Sequence, residues 1–131
     1  MAALSAPALA LRWKIMIVLA ATGAPPKITG HPALDELVAA HVVVLDDAGR
    51  IRMAHPFAAP GGGAVVDAGD RRWWGNCAWD GLGLVAALDL EEATVTSTGV
   101  TLRVRDRELV NAALFHVTVP AARWWEDVVH T

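Results

Sequence analysis

The chain has one cysteine among its 131 residues, no tyrosine and only two phenylalanines, and charged residues make up 19% of it. A single cysteine, Cys77, excludes an internal disulfide framework and fits a reducing, cytoplasmic setting. Long uninterrupted apolar runs are also missing. The apolar stretch over residues 15–21 is short, and Arg12 and Lys14 break the longer run that a spanning helix would need, so neither a transmembrane helix nor a signal peptide is expected. A strong charge of either sign is absent as well: the formal charge is −3 and the pI about 5.9. That balance gives no general electrostatic reason to expect nucleic acid or an anionic membrane as partner, and neither is expected. What the chain has is apolar mass, with 54% hydrophobic residues and six tryptophans. This composition belongs to a folded protein with bulky core or pocket walls, and the length suits one ordinary domain with at most a small appendage.

Leu9, Trp13, Met16, Ile17 and Ala20 recur at spacings of three and four, which predicts an amphipathic helix over residues 7–21 with that set as its apolar face. Pro32 reads as the first residue of a short second helix, with Asp35 and Glu36 near its positive end. Residues 42–45 and 50–53 flank an Asp-Asp-Ala-Gly turn and read as a hairpin. Helix, helix and hairpin in this order suggest a reduced winged-helix module over residues 1–56. The second helix carries no Lys or Arg to meet phosphates, so the module reads as packing material and a DNA-binding regulator is the third-ranked function. Further on, the three consecutive glycines, Gly61 to Gly63, lack a following Gly-Lys-Ser/Thr and read as a connector around a short strand. Asp70, Arg71 and Arg72 read as a polar turn. Residues 94–98 and 100–105 alternate and predict two strands around Gly99, with Arg103, Arg105 and Arg107 on a solvated side. A strand over residues 114–119 containing His116, then a short helix, complete the expected elements.

The stretch over residues 73–90 concentrates the chemistry. Cys77 lies three residues before Asp80 at the start of an apolar helical run, a spacing that puts thiol and carboxyl on one face. Amides of the helix's first turn would favour the thiolate, while burial of Asp80 among tryptophans and leucines would favour its acid form. The same spacing also suits a small buried cysteine beside an ordinary first-turn aspartate.

The segment over residues 55–84, HPFAAPGGGAVVDAGDRRWWGNCAWDGLGL, resembles the core signature of the organomercurial (alkylmercury) lyase family. Pro56, Phe57, Val65, Val66, Cys77, Ala78, Asp80, Leu82 and Gly83 fit that pattern, and a weaker likeness extends through the His116-Val117 pair and the following tryptophans. The resemblance implies an α+β fold: a winged-helix-like module over residues 1–56 packed on a mixed or antiparallel sheet with a central Cys-bearing helix, the lyase-like core covering residues 57–131. It implies protonolysis of a carbon–mercury or related bond, with Cys77 as catalytic thiolate and metal ligand and Asp80 as proton donor. Trp73, Trp74, Trp79, Phe57 and His116 would then contact the organic substrate, without a cofactor. The family's second active-site cysteine is missing, its place falling near Leu114 or Phe115, so an external thiol would have to assist. A non-catalytic binder of small molecules or soft metals is the second-ranked function.

Overall fold

The computed structural model describes residues 3–111, so His116 and the other expected features of residues 114–131 lie outside the described residues. Within them are three helices, α1 (Ala6–Thr22), α2 (Pro32–Ala39) and α3 (Ala78–Ala87). Eight strands accompany them: β1 (Val43–Leu45), β2 (Ile51–Ala54), β3 (Phe57–Ala58), β4 (Ala64–Ala68), β5 (Arg71–Gly75), β6 (Ala93–Ser97), β7 (Val100–Arg105) and β8 (Glu108–Leu109). All eight form one antiparallel sheet in the order β1-β2-β3-β5-β4-β6-β7-β8. The class is therefore α+β.

The expected division at residue 56 falls between β2 and β3, which pair with each other. The sheet's narrow point lies one strand further on, where β3 meets β5 through the single pair Ala58 and Trp74. One hydrophobic core nevertheless runs through both parts, from Ala8 and Leu37 to Leu102 and Val104. Directly opposed residues of adjacent strands share a face, and Val43, Ala54, Phe57, Val66, Trp73, Val95 and Leu102 fall on the face that meets the helices.

Local signals set the helix ends. Ser5 caps α1, its Oγ accepting from the Ala8 amide at 3.3 Å, and Pro7 supplies a preset φ in the first turn. The Ser5 amide and hydroxyl in turn donate to the Glu36 carboxylate at 2.7 and 2.6 Å, which ties α1 to α2 and holds the Glu36 carboxyl below its ordinary range. Gly23 ends α1 with φ of 76°, and a side chain there would strike the Arg72 carbonyl oxygen. At α2, Pro32 is the first helical residue and the His31 Nδ1 accepts from the Ala33 amide at 3.1 Å.

Two expectations are corrected. The buried side of α1 is Ala8, Leu11, Ile15 and Leu19; of the expected set, Leu9, Trp13 and Ile17 are exposed, while Met16 and Ala20 pack against the edge of the core. Residues of α1 are apolar nearly all round, so spacing alone could not choose the side that meets the sheet. The polar turn expected at Arg71 and Arg72 belongs instead to β5, which pairs with β4 over five residues from Ala68–Arg71 to Ala64–Gly75. Consecutive Arg-Arg-Trp-Trp shows no alternation; pairing makes it a strand, reinforced by the Arg72–Asp67 ion pair at 2.6 Å.

Candidate active site

Strand β5 runs through Gly75 and Asn76 directly into Cys77, which stands in extended conformation as the N-cap residue of α3. The first helical hydrogen bond of α3 runs from the Gly81 amide to the Cys77 carbonyl at 3.0 Å. Asp80 occupies the first turn, where a carboxylate favours the positive end of the helix. Both side chains are partly exposed at this strand-to-helix junction.

Two glycines let the junction close. A Cβ on Gly75 would lie 3.0 Å from the Asp80 Cβ and from the Gly81 amide, and one on Gly81 would lie 2.5 Å from the Val95 Cγ1. The absent side chains seat the start of α3 directly on β4, β5 and β6, fixing where Cys77 and Asp80 emerge. Gly81 had a signal in the sequence, a glycine inside a helical apolar run, which calls for a packing reason because it lowers helix propensity; Gly75, at the end of β5, had none.

Burial pushes the Cys77 thiol above its ordinary value. The amides of Asp80 and Trp79 pull it back, and the Asp80 charge and side-chain contact push it further up. The Asp80 carboxyl thus bears on the thiol across the first turn of α3. The thiolate expected from the helix terminus is corrected: desolvation outweighs the first-turn amides.

The structure separates the aromatic residues that the sequence suggested as substrate contacts. Trp73 is in the core at 1% exposure, its Nε1 donating to the Ala20 carbonyl at 2.9 Å and the Arg71 guanidinium lying 4.6 Å from its ring centroid. Phe57 is also core. Trp74, half-buried, points to the opposite face of the sheet from Trp73, in register with Ala58 and Val65. Trp79 alone stands in the first turn of α3 beside the pair, and it is 67% exposed. The tryptophans accordingly do not form one wall.

Two clefts lie elsewhere. One of about 370 Å³ is apolar, between the second half of α3 and β7–β8, lined by Leu82, Val85, Leu90, Val104 and Leu109 under the Asp89–Arg107 ion pair of 2.8 Å. The other, about 390 Å³, lies under the glycine loop and includes Asp46, Arg52, Met53 and Asn76. Neither is lined by Cys77 or Asp80, although Asn76 adjoins Cys77. Arg107, one of the three alternating arginines, is engaged by Asp89 and by Glu91 at 3.3 Å. Among the described residues no group of three or more His, Cys, Asp or Glu side chains is placed to hold a metal ion, and no helix is long and apolar enough to cross a membrane. No family model, curated protein or solved structure matches this chain.

Proposed function

We propose that the protein is an alkylmercury lyase-like enzyme in which Cys77 takes the mercury of an organomercurial and Asp80 delivers a proton to its carbon. The observation that carries the reading is the geometry of the β5–α3 junction, where Cys77 is the N-cap residue of α3 and Asp80 lies in its first turn, both partly exposed. The lyase-like fold and its winged-helix-like N-terminal part belong to the same proposal, as does a cytoplasmic setting that keeps the one cysteine reduced.

The chemistry balances with one protein sulfur and one external thiol. Cys77 as the thiol exchanges with the thiolate bound to R–Hg–SR′, forming Cys77-S–Hg–R and releasing R′SH. A soft metal displaces the thiol proton, so the raised Cys77 affinity for protons slows this step without forbidding it. The proton of R′SH passes to Asp80, and Asp80 hands it to carbon as the carbon–mercury bond breaks with its electron pair on carbon. R′S⁻ fills the vacated position, leaving R–H and Cys77-S–Hg–SR′. Trp79, exposed in the first turn of α3, is the residue proposed to contact the organic group, while Trp73 and Phe57 belong to the core.

A second reading is favoured by the raised thiol: a soft-metal or mercurial binder that does not turn over. Incubation with phenylmercury and excess thiol separates the two. Benzene release that is lost in Cys77→Ser and in Asp80→Asn identifies the enzyme. A stoichiometric adduct without benzene identifies the binder, and absence of an adduct on native Cys77 sinks both.

A further inference from the structure

The outward side of α1 is an apolar stripe between cations, and we infer that it is a docking face for the surface of an anionic phospholipid bilayer. At about 100° per residue, Leu9, Trp13 and Ile17 form a continuous row opposite the buried Ala8, Leu11, Ile15 and Leu19. The three are 51%, 69% and 49% exposed, so a tryptophan and two branched aliphatic side chains stand in water along one helix. Scattered exposed apolar residues need no explanation, but an aligned row of large ones on a helix that already buries its other side does.

Charge names the occupant. On the same wheel Arg12 and Lys14 flank the row on its two sides, and both are exposed. No Asp or Glu occurs among residues 1–34, which carry Arg12, Lys14 and Lys27, so the overall charge of −3 conceals a basic N-terminal part. The first acids in sequence, Asp35 and Glu36, lie in α2, and Glu36 is committed to the Ser5 cap at the N-terminal end of α1. An antiparallel pair of α1 helices centred on Trp13 would bring like charges together, which disfavours a second copy of the chain as occupant. An anionic bilayer meets every part of the pattern: headgroups for the flanking cations, and the interfacial zone for Trp13, Leu9 and Ile17. Docking of this kind is peripheral and needs no spanning helix. It stands independently of the chemistry at Cys77.

The test is sedimentation of the full chain with extruded vesicles of phosphatidylcholine, alone or with three parts in ten of phosphatidylglycerol. Binding to the anionic vesicles that weakens in high salt is expected. Arg12→Gln and Lys14→Gln should each weaken it by about fivefold, the effect of one surface cation, and Trp13→Glu should abolish it with the circular dichroism spectrum unchanged. Leu9→Ser gives a milder second variant should Trp13→Glu fail to fold. Equal binding to neutral vesicles, binding indifferent to Trp13→Glu or Leu9→Ser, or no binding at all would overturn the inference. So would light scattering that shows a dimer dissolved by Trp13→Glu, because a second copy would then hold the face.

Discussion

Helices α1 and α3 pack on the same face of one sheet, yet they do so by opposite means. The first approaches through large side chains, Leu11, Ile15 and Leu19, and still has Leu9, Trp13 and Ile17 to spare on its outer side. The second approaches through Gly81, Leu84 and Val85, coming so close to Val95 that its first turn sits almost on the strands. Bulk keeps α1 at ordinary packing distance and gives it a greasy back. Lack of bulk draws α3 down and puts the termini of its first turn, with Cys77 and Asp80, at the end of β5. The contrast teaches that what a helix omits can place a polar pair as firmly as what it buries.

The sharpest way to break this contrast is to remove the largest fully buried side chain of the core that both helices share. Trp73→Ala should destabilise the protein by about 3–5 kcal/mol, because it empties a core site and removes one of the two hydrogen bonds, the other from Arg71, that the Ala20 carbonyl accepts from β5. Urea denaturation measures this, and a loss below about 1 kcal/mol would mean that Trp73 is less enclosed than its 1% exposure indicates. Next come the two sides of α1. Ile15→Ala should cost about 2–5 kcal/mol and Ile17→Ala no more than about 0.5. Equal losses would show the outer row to be covered in solution and would end the distinction between the helices.

On α3, Gly81→Ala should lower stability by about 1–2 kcal/mol, the clash with Val95 outweighing the roughly 1 kcal/mol gained in helix propensity. A stabilised Gly81→Ala protein would mean that α3 does not rest on the sheet through this contact. The smallest effect is one of pH. A Cys77 thiol raised in the folded state keeps its proton longer than in the unfolded chain, so folded protein binds more protons and stability falls as pH rises above the unfolded value of about 8.5. Below that value the contribution is fully present. Denaturation midpoints followed through the alkaline range should show this decline, and Cys77→Ser should lack that part of it.

Much of the architecture was legible. Spacing marked α1 over residues 7–21 and Pro32 marked the start of α2, close to the observed Ala6–Thr22 and Pro32–Ala39, because helix signals are local in sequence. Alternation located β6 and β7, and the Asp-Gly turn located the β1–β2 hairpin. Strand β5 was hidden, since Arg-Arg-Trp-Trp has no period and only its pairing with β4 makes it extended. At the candidate site the meeting of Cys77 and Asp80 was readable from their spacing, but the direction of the thiol's shift was not. That sign is a contest between first-turn amides and desolvation, and burial depth has no local code. Nor could composition sort the tryptophans. Trp73 and Trp74 are neighbours in sequence and therefore point to opposite faces of a sheet, a consequence invisible until the segment is known to be a strand.

The sequence by itself determined the positions of α1 and α2, the β1–β2 hairpin and strands β6 and β7, because each of these rests on interactions between residues close along the chain. Only the tertiary structure decided which side of α1 is buried, how near α3 comes to the strands and which indoles remain open to solvent. Those outcomes depend on surfaces brought together from distant parts of the chain, such as Ala20 on Trp73 and Gly81 on Val95. Contacts of that range follow from the shape of the whole core, which no local pattern encodes.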